Sequence, residues 1–313
     1  MYINNEILFQ NNRTIKNQNI PLDLFSISNH SLFIKREDKL HPHISGNKYR
    51  KLKYNLIEAK QLNKKVLITF GGAYSNHIAA LASAGKEFGF RTIGVIRGEE
   101  LRTKIKSNPT LSFAQDCGMQ FHFVSREDYR RKTENGFISN LKTLFGDFYL
   151  VPEGGTNNLA VKGCKEILTK QDEEFDLICS AVGTGGTLAG LVKSSKPHQT
   201  ILGFSALKGT FQSSEIEKYT SKTNYKIIDN YCFGGYAKID EHLIRFINNF
   251  IDKTEIPLDP VYTGKMLYGI IDLINSGVLK QNSRILAIHT GGLQGIPGMN
   301  QILKKKNLPQ IIY

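Results

Sequence analysis

Short apolar, β-branched runs alternate with longer segments of helical periodicity along most of the chain. Seven runs predict strands, and they are 66–70, 92–96, 121–124, 148–151, 177–182, 201–205 and 284–289. Residues 49–60 carry apolar side chains at helical spacing, and the Ala-rich stretch 78–88 ends at Gly89. This alternation predicts βαβ units, in which helices cover a sheet of mainly parallel strands. The sequence therefore predicts an α/β protein with open, mostly parallel sheets.

A chain of 313 residues exceeds what one small core usually fills, so two domains or one large α/β unit are expected. No internal repeat and no linker rich in Pro, Gly or Ser separates two halves. If two domains are present, we expect them to be intertwined and to share a cleft.

The compartment is predicted from what the sequence does not contain. No run of about 18 uncharged apolar residues occurs, and the first residues do not resemble a secretory signal, so we expect a soluble, cytoplasmic protein. The four cysteines are far apart and form no C-x-x-C pair; they are Cys117, Cys164, Cys179 and Cys232. This spacing predicts reduced thiols, with neither a disulfide framework nor a metal site.

The net charge of +13 makes a nucleic-acid binder one alternative. However, the basic residues are scattered, and the one tight run, 304–306, is not interleaved with aromatic residues. No helix-turn-helix, zinc or base-stacking motif accompanies them. The charge therefore favours a solvated basic surface, or an anionic ligand, and we expect no nucleic-acid or membrane partner.

Three Gly-rich turns follow predicted strands, at 71–77, 183–187 and 289–292. In open α/β sheets, ligands bind where strands end and helices begin, because backbone N–H groups point outward there. The second turn adds the hydroxyls of Thr184 and Thr187, which suits a phosphate. It lacks the G-K-[ST] of a P-loop and the third glycine of a dinucleotide fingerprint. A tight turn without a ligand is the alternative for this segment alone.

Lys48 lies at the predicted start of a helix, in the segment Ser45-Gly46-Asn47-Lys48. The helix dipole disfavours a cation at this end, and a neutral or covalently occupied amine would remove the conflict. Most lysines are solvated surface groups. Lys48 is a Schiff-base candidate because a phosphate-type loop and two further Gly-rich turns accompany it.

The chain resembles the pyridoxal-phosphate enzymes of the D-cysteine desulfhydrase and 1-aminocyclopropane-1-carboxylate deaminase family over roughly residues 21–298. The motifs that carry the resemblance are 33–40, 46–52, 71–77, 152–157, 183–187, 235–236, 262–265 and 289–292. The resemblance implies a tryptophan-synthase-like fold, pyridoxal 5'-phosphate as cofactor and a homodimer. It also implies a large domain made of 1–49 and 158–313, with 50–157 inserted as a small domain.

The resemblance implies a role for each matched residue. Lys48 would bind the cofactor covalently and then move the Cα proton, so it is predicted to be catalytic together with Ser75, Tyr236 and Tyr262. Ser75, Asn76 and His77 would hold the carboxylate of a small amino-acid substrate at a helix N-terminus. The remaining cofactor contacts would come from Asn76 at the ring hydroxyl, from Tyr262 on the ring, from Thr290, and from Gly183, Thr184, Gly185, Gly186 and Thr187 at the phosphate. The alternatives are a helix cap for Ser75 and Asn76, and core packing for the two tyrosines.

Two positions favour one branch of the family. The resembling deaminases have Glu after the ring-stacking Tyr and an apolar residue after the third-turn His, whereas this chain has Thr263 and Thr290. Both residues resemble the desulfhydrase branch, which implies β-elimination from D-cysteine to pyruvate, ammonia and hydrogen sulfide. The open alternatives are 1-aminocyclopropane-1-carboxylate deamination to 2-oxobutyrate and ammonia, elimination from D-serine, β-chloroalanine or L-cysteine, and a cofactor carrier that has lost turnover.

Overall fold

The computed structural model describes residues 15–27 and 29–313. In chain order the strands of these residues are β1 (Asn17–Ile20), β2 (Ser31–Lys35), β3 (Val66–Gly71), β4 (Arg91–Arg97), β5 (Gln120–Val124), β6 (Tyr149–Leu150), β7 (Leu177–Val182), β8 (Thr200–Ser205), β9 (Tyr225–Ile228) and β10 (Arg284–Ile288). The α-helices are α1 (Asn47–Gln61), α2 (Asn76–Phe88), α3 (Pro109–Asp116), α4 (Arg126–Arg130), α5 (Asn135–Phe145), α6 (Asn158–Cys164), α7 (Gly186–Ser194), α8 (Gln212–Glu217), α9 (Glu241–Thr254), α10 (Thr263–Asn275) and α11 (Ile296–Lys305).

The strands form two sheets. One has six strands in the order β1-β2-β10-β7-β8-β9, and the other has four in the order β5-β4-β3-β6. Every pair is parallel except β1 with β2 at one edge. The predicted α/β fold with open, mostly parallel sheets is therefore confirmed.

Each sheet is buried on both faces, which is why its strands read as continuous apolar runs. In β3, Val66, Ile68 and Phe70 pack toward α4 and α5, while Leu67 packs toward α1, α2 and α3. The larger sheet lies between α9, α10 and α11 on one face and α6, α7 and α8 on the other. The seven predicted strands all occur, with bounds that differ by at most two residues.

The apolar-run criterion does not predict β1, β2 or β9. In β2 the apolar run is short and ends at Lys35, which is 1% exposed and whose Nζ lies 2.5 Å from Asp172 Oδ2. A buried lysine is tolerated there because a carboxylate from a distant segment pairs with it. β1 and β9 are four-residue edge strands with polar residues, so neither contains a long apolar run.

The helices α1 and α6 bring the two sheets together. A Cβ on Gly163 of α6 would lie 1.9 Å from the Arg50 carbonyl oxygen of α1, so only glycine permits this approach. The strands of the four-stranded sheet lie within 66–150, inside the predicted small domain, although the domain limits themselves stay a prediction. All four cysteines are free, as predicted. Among the described residues, no helix has the length and apolar character needed to cross a membrane.

Candidate active site

The three Gly-rich turns follow the carboxyl ends of β3, β7 and β10, as the sequence predicts. The first and third turns touch, since a Cβ on Gly292 would lie 2.8 Å from Asn76 Nδ2. The third turn also contacts the start of α1, where a Cβ on Gly46 would lie 2.0 Å from the Thr290 carbonyl oxygen. Gly46 has a φ of +60°, so both its conformation and its surroundings require glycine. The fold thus brings four separated segments to one place.

Lys48 is the second residue of α1, in the first turn as predicted. Burial, and after it the positive charge of Lys51, lower its pKa from 10.5 to about 7. The preceding residue fixes this end of the helix, because Asn47 Nδ2 donates to Thr187 Oγ1 at 2.8 Å. A large share of Lys48 is therefore unprotonated near neutral pH, which is the state a nucleophilic amine needs.

Lys51 is a site residue that had no predicted role of its own. It is 2% exposed, and its Nζ donates to Thr156 Oγ1 at 2.9 Å, to the Gly154 carbonyl at 3.0 Å and to Thr184 Oγ1 at 3.4 Å. No carboxylate of residues 15–27 and 29–313 lies within 4.0 Å of it. A buried cation surrounded by hydroxyls, with no carboxylate nearby in the described part of the chain, suits an anion. The signal for this in the sequence is the position of Lys51 three residues after Lys48.

The Gly183–Thr187 turn completes the surroundings of that cation. Gly185 has a φ of +81° and caps α7, so the first N–H groups of this helix have no partner within it. A Cβ on Gly186 would lie 2.7 Å from Thr156 Cγ2, which shows how closely the neighbouring turn approaches. A helix N-terminus, two threonine hydroxyls and the Lys51 ammonium form a donor set that fits the phosphate of pyridoxal phosphate.

The N-terminus of α2 carries Ser75, Asn76 and His77. Ser75 Oγ accepts from the Ile78 N–H at 3.3 Å, so the helix-cap interpretation is confirmed for Ser75, and a ligand role at the same turn remains compatible with it. The His77 imidazole is buried, with Nε2 2.9 Å from Thr69 Oγ1. Burial and the nearby lysines lower its pKa well below 6.5, so the ring is neutral. Its Nδ1 has no hydrogen-bond partner among the described residues, so this atom and the backbone N–H of His77 are left for the predicted carboxylate contact.

Tyr236 and Tyr262 lie together, with ring centroids 6.3 Å apart and an angle of 66° between the ring planes. Tyr262 also lies against the second turn, since a Cβ on Gly183 would be 3.2 Å from its ring. Tyr236 is 48% exposed, so it is not a core aromatic residue. Burial raises the pKa of Tyr262 well above 10 and also raises the pKa of Tyr236, so both hydroxyls keep their protons.

Thr263 is fully buried and is engaged with Asp259, a residue that the motif analysis did not single out. The Thr263 hydroxyl donates to Asp259 Oδ2 at 2.7 Å and accepts from the Asp259 N–H at 2.9 Å. Backbone N–H groups of Val261, Tyr262 and Thr263 donate to the same carboxylate at 2.8–2.9 Å. Asp259 therefore binds the turn that leads into α10 with Oδ1 and the first residue of the helix with Oδ2, and it fixes the backbone of Tyr262.

The candidate site thus contains most of the predicted residues and two additions. Lys48, Asn76, the 183–187 turn and the two tyrosines converge from both sheets, and Thr290 borders them through its carbonyl contact with Gly46. Lys51 and Asp259 join them. The roles of the individual residues stay predictions, because geometry alone does not assign them.

Comparison with known proteins agrees with this arrangement. The family model described as "Pyridoxal-phosphate dependent enzyme" matches residues 15–291. A Pyrococcus horikoshii protein with the provisional name 1-aminocyclopropane-1-carboxylate deaminase is 32% identical over 84% of this chain and 85% of its own length. The D-cysteine desulfhydrase of Klebsiella pneumoniae subsp. pneumoniae is 26% identical over 83% of this chain and 86% of its own length.

A bifunctional D-cysteine desulfhydrase and 1-aminocyclopropane-1-carboxylate deaminase of Arabidopsis thaliana is 29% identical over 85% of this chain and 73% of its length. A crystal structure of an ACC deaminase homologue superposes with a TM-score of 0.81 at 27% identity, covering 97% of this chain and 99% of the other. The fold, the anion-binding donors around Lys51 and the placement of Lys48 agree with these matches. The chain therefore belongs to the family of pyridoxal-phosphate-dependent enzymes that includes 1-aminocyclopropane-1-carboxylate deaminases and D-cysteine desulfhydrases.

Proposed function

We propose that this enzyme catalyses β-elimination from a small amino acid, with D-cysteine as the preferred substrate. The Cα–H and Cβ–S bonds break, and sulfur leaves as hydrogen sulfide. The enamine that remains takes up one water and gives pyruvate and ammonia, so the atoms balance without an oxidant or a reductant. Bound pyridoxal phosphate supplies the electron sink for the pair left at Cα.

The observation that carries the choice of reaction is the absence of a free carboxylate at position 263. Thr263 provides only a hydroxyl, and that hydroxyl is engaged with Asp259. The Asp259 carboxylate in turn accepts two hydrogen bonds on each oxygen. A site without an available acid at this position is suited to a substrate whose own leaving group removes the electrons. D-cysteine has such a group at Cβ.

Lys48 is the proposed base for the Cα proton. Its amine is close to half neutral at pH 7, so it can accept a proton at Nζ, and the like charge of Lys51 disfavours that protonated state. A base whose pKa lies near the working pH is the most effective choice. The N-terminal N–H groups of α2 would hold the substrate carboxylate, which orients Cα toward Lys48.

The tyrosine pair is the proposed acid for the departing sulfur. Both hydroxyls stay protonated at neutral pH, and the contact between the two rings supports the pair as a proton path. Tyr236 faces solvent in part, so a proton lost to sulfide can be replaced from water.

We propose the same site residues and domain limits that the family resemblance implies. The domains are 1–49 with 158–313, and 50–157, and the enzyme acts as a homodimer in the cytoplasm. The confinement of β3, β4, β5 and β6 to the second segment supports the division. Light scattering of the cofactor-loaded protein tests the dimer, and a monomer at micromolar concentration would contradict it.

The experiment that tests the reaction is 2-oxo-acid release from D-cysteine, L-cysteine and 1-aminocyclopropane-1-carboxylate in parallel. We expect pyruvate from D-cysteine and no 2-oxobutyrate from the cyclopropane. A matched variant, Thr263→Ser, keeps the hydroxyl and should retain the same preference. Release of 2-oxobutyrate as the main product would show that deamination needs no free carboxylate at position 263, and the choice of branch would be wrong.

Deamination of 1-aminocyclopropane-1-carboxylate is the second candidate. Asp259 is the observation in its favour, because a Cβ on Gly292 would lie 3.3 Å from its carboxyl carbon, so a buried negative charge borders the third turn. The names of the Pyrococcus horikoshii relative and the superposed structure point the same way. The substrate has no hydrogen on Cα, so the Lys48 step above would not begin the reaction.

A further inference from the structure

The loop that carries Tyr236 is attached to α10 by a buried lysine. Lys265 is 2% exposed, and its Nζ donates to the carbonyl oxygens of Cys232 at 2.8 Å and Gly235 at 2.9 Å. The Gly235 carbonyl belongs to the peptide bond that leads into Tyr236. Lys265 also lies three residues after Tyr262, so the two share one face of the helix end. We propose that Lys265 is a positioning residue that holds Tyr236 against Tyr262.

The backbone of this loop needs such a support. Phe233, Gly234, Gly235 and Ala237 all have φ between +51° and +119°, and two of these residues are not glycines. Non-glycine residues adopt positive φ at a cost, so the surrounding structure has to enforce it. Internal turns contribute through the Gly235 N–H, which donates to the Cys232 carbonyl at 3.0 Å. Lys265 binds the same Cys232 carbonyl and thereby joins this turn to the helix.

Other residues on the same face of α10 hold the earlier part of the loop. Asp272 accepts from the Tyr231 hydroxyl at 2.7 Å, and the Tyr268 ring packs edge-on against Phe233 with centroids 5.1 Å apart. These contacts precede Gly234, and Tyr236 lies beyond them. The Gly235 carbonyl next to Tyr236 accepts from the Lys238 N–H at 3.2 Å within the loop, and the Lys265 ammonium joins the same carbonyl to α10.

The partners of Lys265 indicate a role other than ion pairing. Within the described part of the chain, no carboxylate lies within 4.0 Å of its Nζ, while Asp259 and Asp240 act on it only at longer range. Lys35, which is equally buried, has a carboxylate at 2.5 Å. Both carbonyl groups also accept a backbone N–H within the loop, so the Lys265 ammonium adds a link between the loop and α10.

The first test follows the loop itself and does not depend on the reaction. In Lys265→Met, hydrogen exchange in the peptide covering 229–240 should become faster by about tenfold, because the loop is released from α10. Tyr236→Phe should leave this exchange close to that of the unmodified enzyme. Lys35→Met is the matched control: it removes an equally buried lysine, and we expect a lower melting temperature with unchanged exchange in this peptide.

The second test rests on the proposed role of the tyrosine pair and uses a double-mutant cycle. If Tyr236 supplies a proton, Tyr236→Phe should lower kcat for D-cysteine by about 10²-fold. Lys265→Met should fall within about threefold of that value, and the double variant should fall no further, because both changes remove one function. If Lys265→Met does not fold, Lys265→Gln keeps two N–H donors on a shorter side chain and should show a partial loss.

The outcomes separate the two proposals. Unchanged exchange in Lys265→Met, or losses of kcat that multiply in the double variant, would overturn the positioning role. If no elimination is detected with any enzyme form, the proposed reaction is wrong, and the exchange result alone decides whether Lys265 holds the loop.

Discussion

The lowered pKa of Lys48 leads to a quantitative prediction about its reactivity. At a pKa of about 7, roughly half of the amines are neutral at pH 7, against about 3 in 10,000 for a lysine at 10.5, so Lys48 should be about a thousandfold richer in the reactive form. Burial is the main cause, and the charge of Lys51 is the second. Each tenfold change corresponds to about 1.4 kcal/mol, so a proton on Lys48 costs about 5 kcal/mol relative to water.

The assay is the reaction of the cofactor-free enzyme with pyridoxal from pH 5.5 to 10, followed by borohydride trapping and peptide mapping. Pyridoxal lacks the phosphate, so the anion-binding role of Lys51 does not enter. We expect modification of Lys48 to rise with a midpoint near pH 7 and then to level off. In Lys51→Met the midpoint should move to higher pH, because one of the two causes of the lowered pKa is removed.

Exposed lysines in the same digest are an internal control, since an ordinary lysine has a pKa near 10.4 and its modification should still rise above pH 9. A Lys48 profile that also rises above pH 9, or a midpoint that Lys51→Met leaves in place, would refute the reasoning.

The free-energy cost of protonating Lys48 in the folded state should also lower the stability of the cofactor-free protein at neutral pH. Because the pKa of Lys48 is lower in the folded state, the unfolded chain binds more protons between about pH 7 and pH 10.5, and stability rises with pH across this window. Lys48→Met should therefore raise the free energy of unfolding at pH 7, and the gain should shrink as the pH approaches 10. Urea titrations at several pH values measure it, and a gain that does not change with pH would point to packing instead of charge.

The remaining predictions concern the turns, the anion site and the tyrosines. A Cβ on Gly89, whose φ is +75°, would meet no atom within 4 Å, so Gly89→Ala should lower the free energy of unfolding by about 1–2 kcal/mol. Gly46→Ala should lower it by at least about 3 kcal/mol more, because the new Cβ would overlap the Thr290 carbonyl. Equal losses in urea titrations would contradict this difference. Lys51→Met should weaken binding of pyridoxal phosphate about 10- to 100-fold more than binding of pyridoxal, which loses only through the raised pKa of Lys48, and equal losses for both ligands would be inconsistent with a phosphate contact. Arg97→Gln should raise the pKa of Tyr236 further, because the Arg97 guanidinium lowers it. An ultraviolet titration, with the Tyr236→Phe signal subtracted, measures this pKa, and an unchanged pKa in Arg97→Gln would contradict the prediction.

The sequence predicts most of the two sheets because their strands are buried on both faces and therefore apolar. It fails at β2, where Lys35 is acceptable only because Asp172, 137 residues away, neutralises it. The edge strand β9 is missed for a different reason. It pairs only with β8, and its Lys226 faces solvent, so it contains no long apolar run. Long-range pairing of charges cannot be inferred from the periodicity of one segment.

The site shows the same division. Lys48 and the Gly-rich turns are recognisable because local backbone geometry requires their residue types. The role of Lys51 depends on Thr156 and Thr184, which are 105 and 133 residues away and meet it only in the folded chain. Asp259 and Thr263 are only four residues apart and hydrogen-bond to each other. Their position beside the third Gly-rich turn, however, arises only in the folded chain.

The central claim is that Lys48 of a pyridoxal-phosphate enzyme removes the Cα proton and that sulfur then leaves from Cβ. The most direct measurement is the simultaneous release of sulfide and pyruvate from D-cysteine by the cofactor-loaded enzyme and by Lys48→Ala. The account predicts equal amounts of both products from the unmodified enzyme and loss of both in the variant. Sulfide released at the normal rate by Lys48→Ala would contradict it.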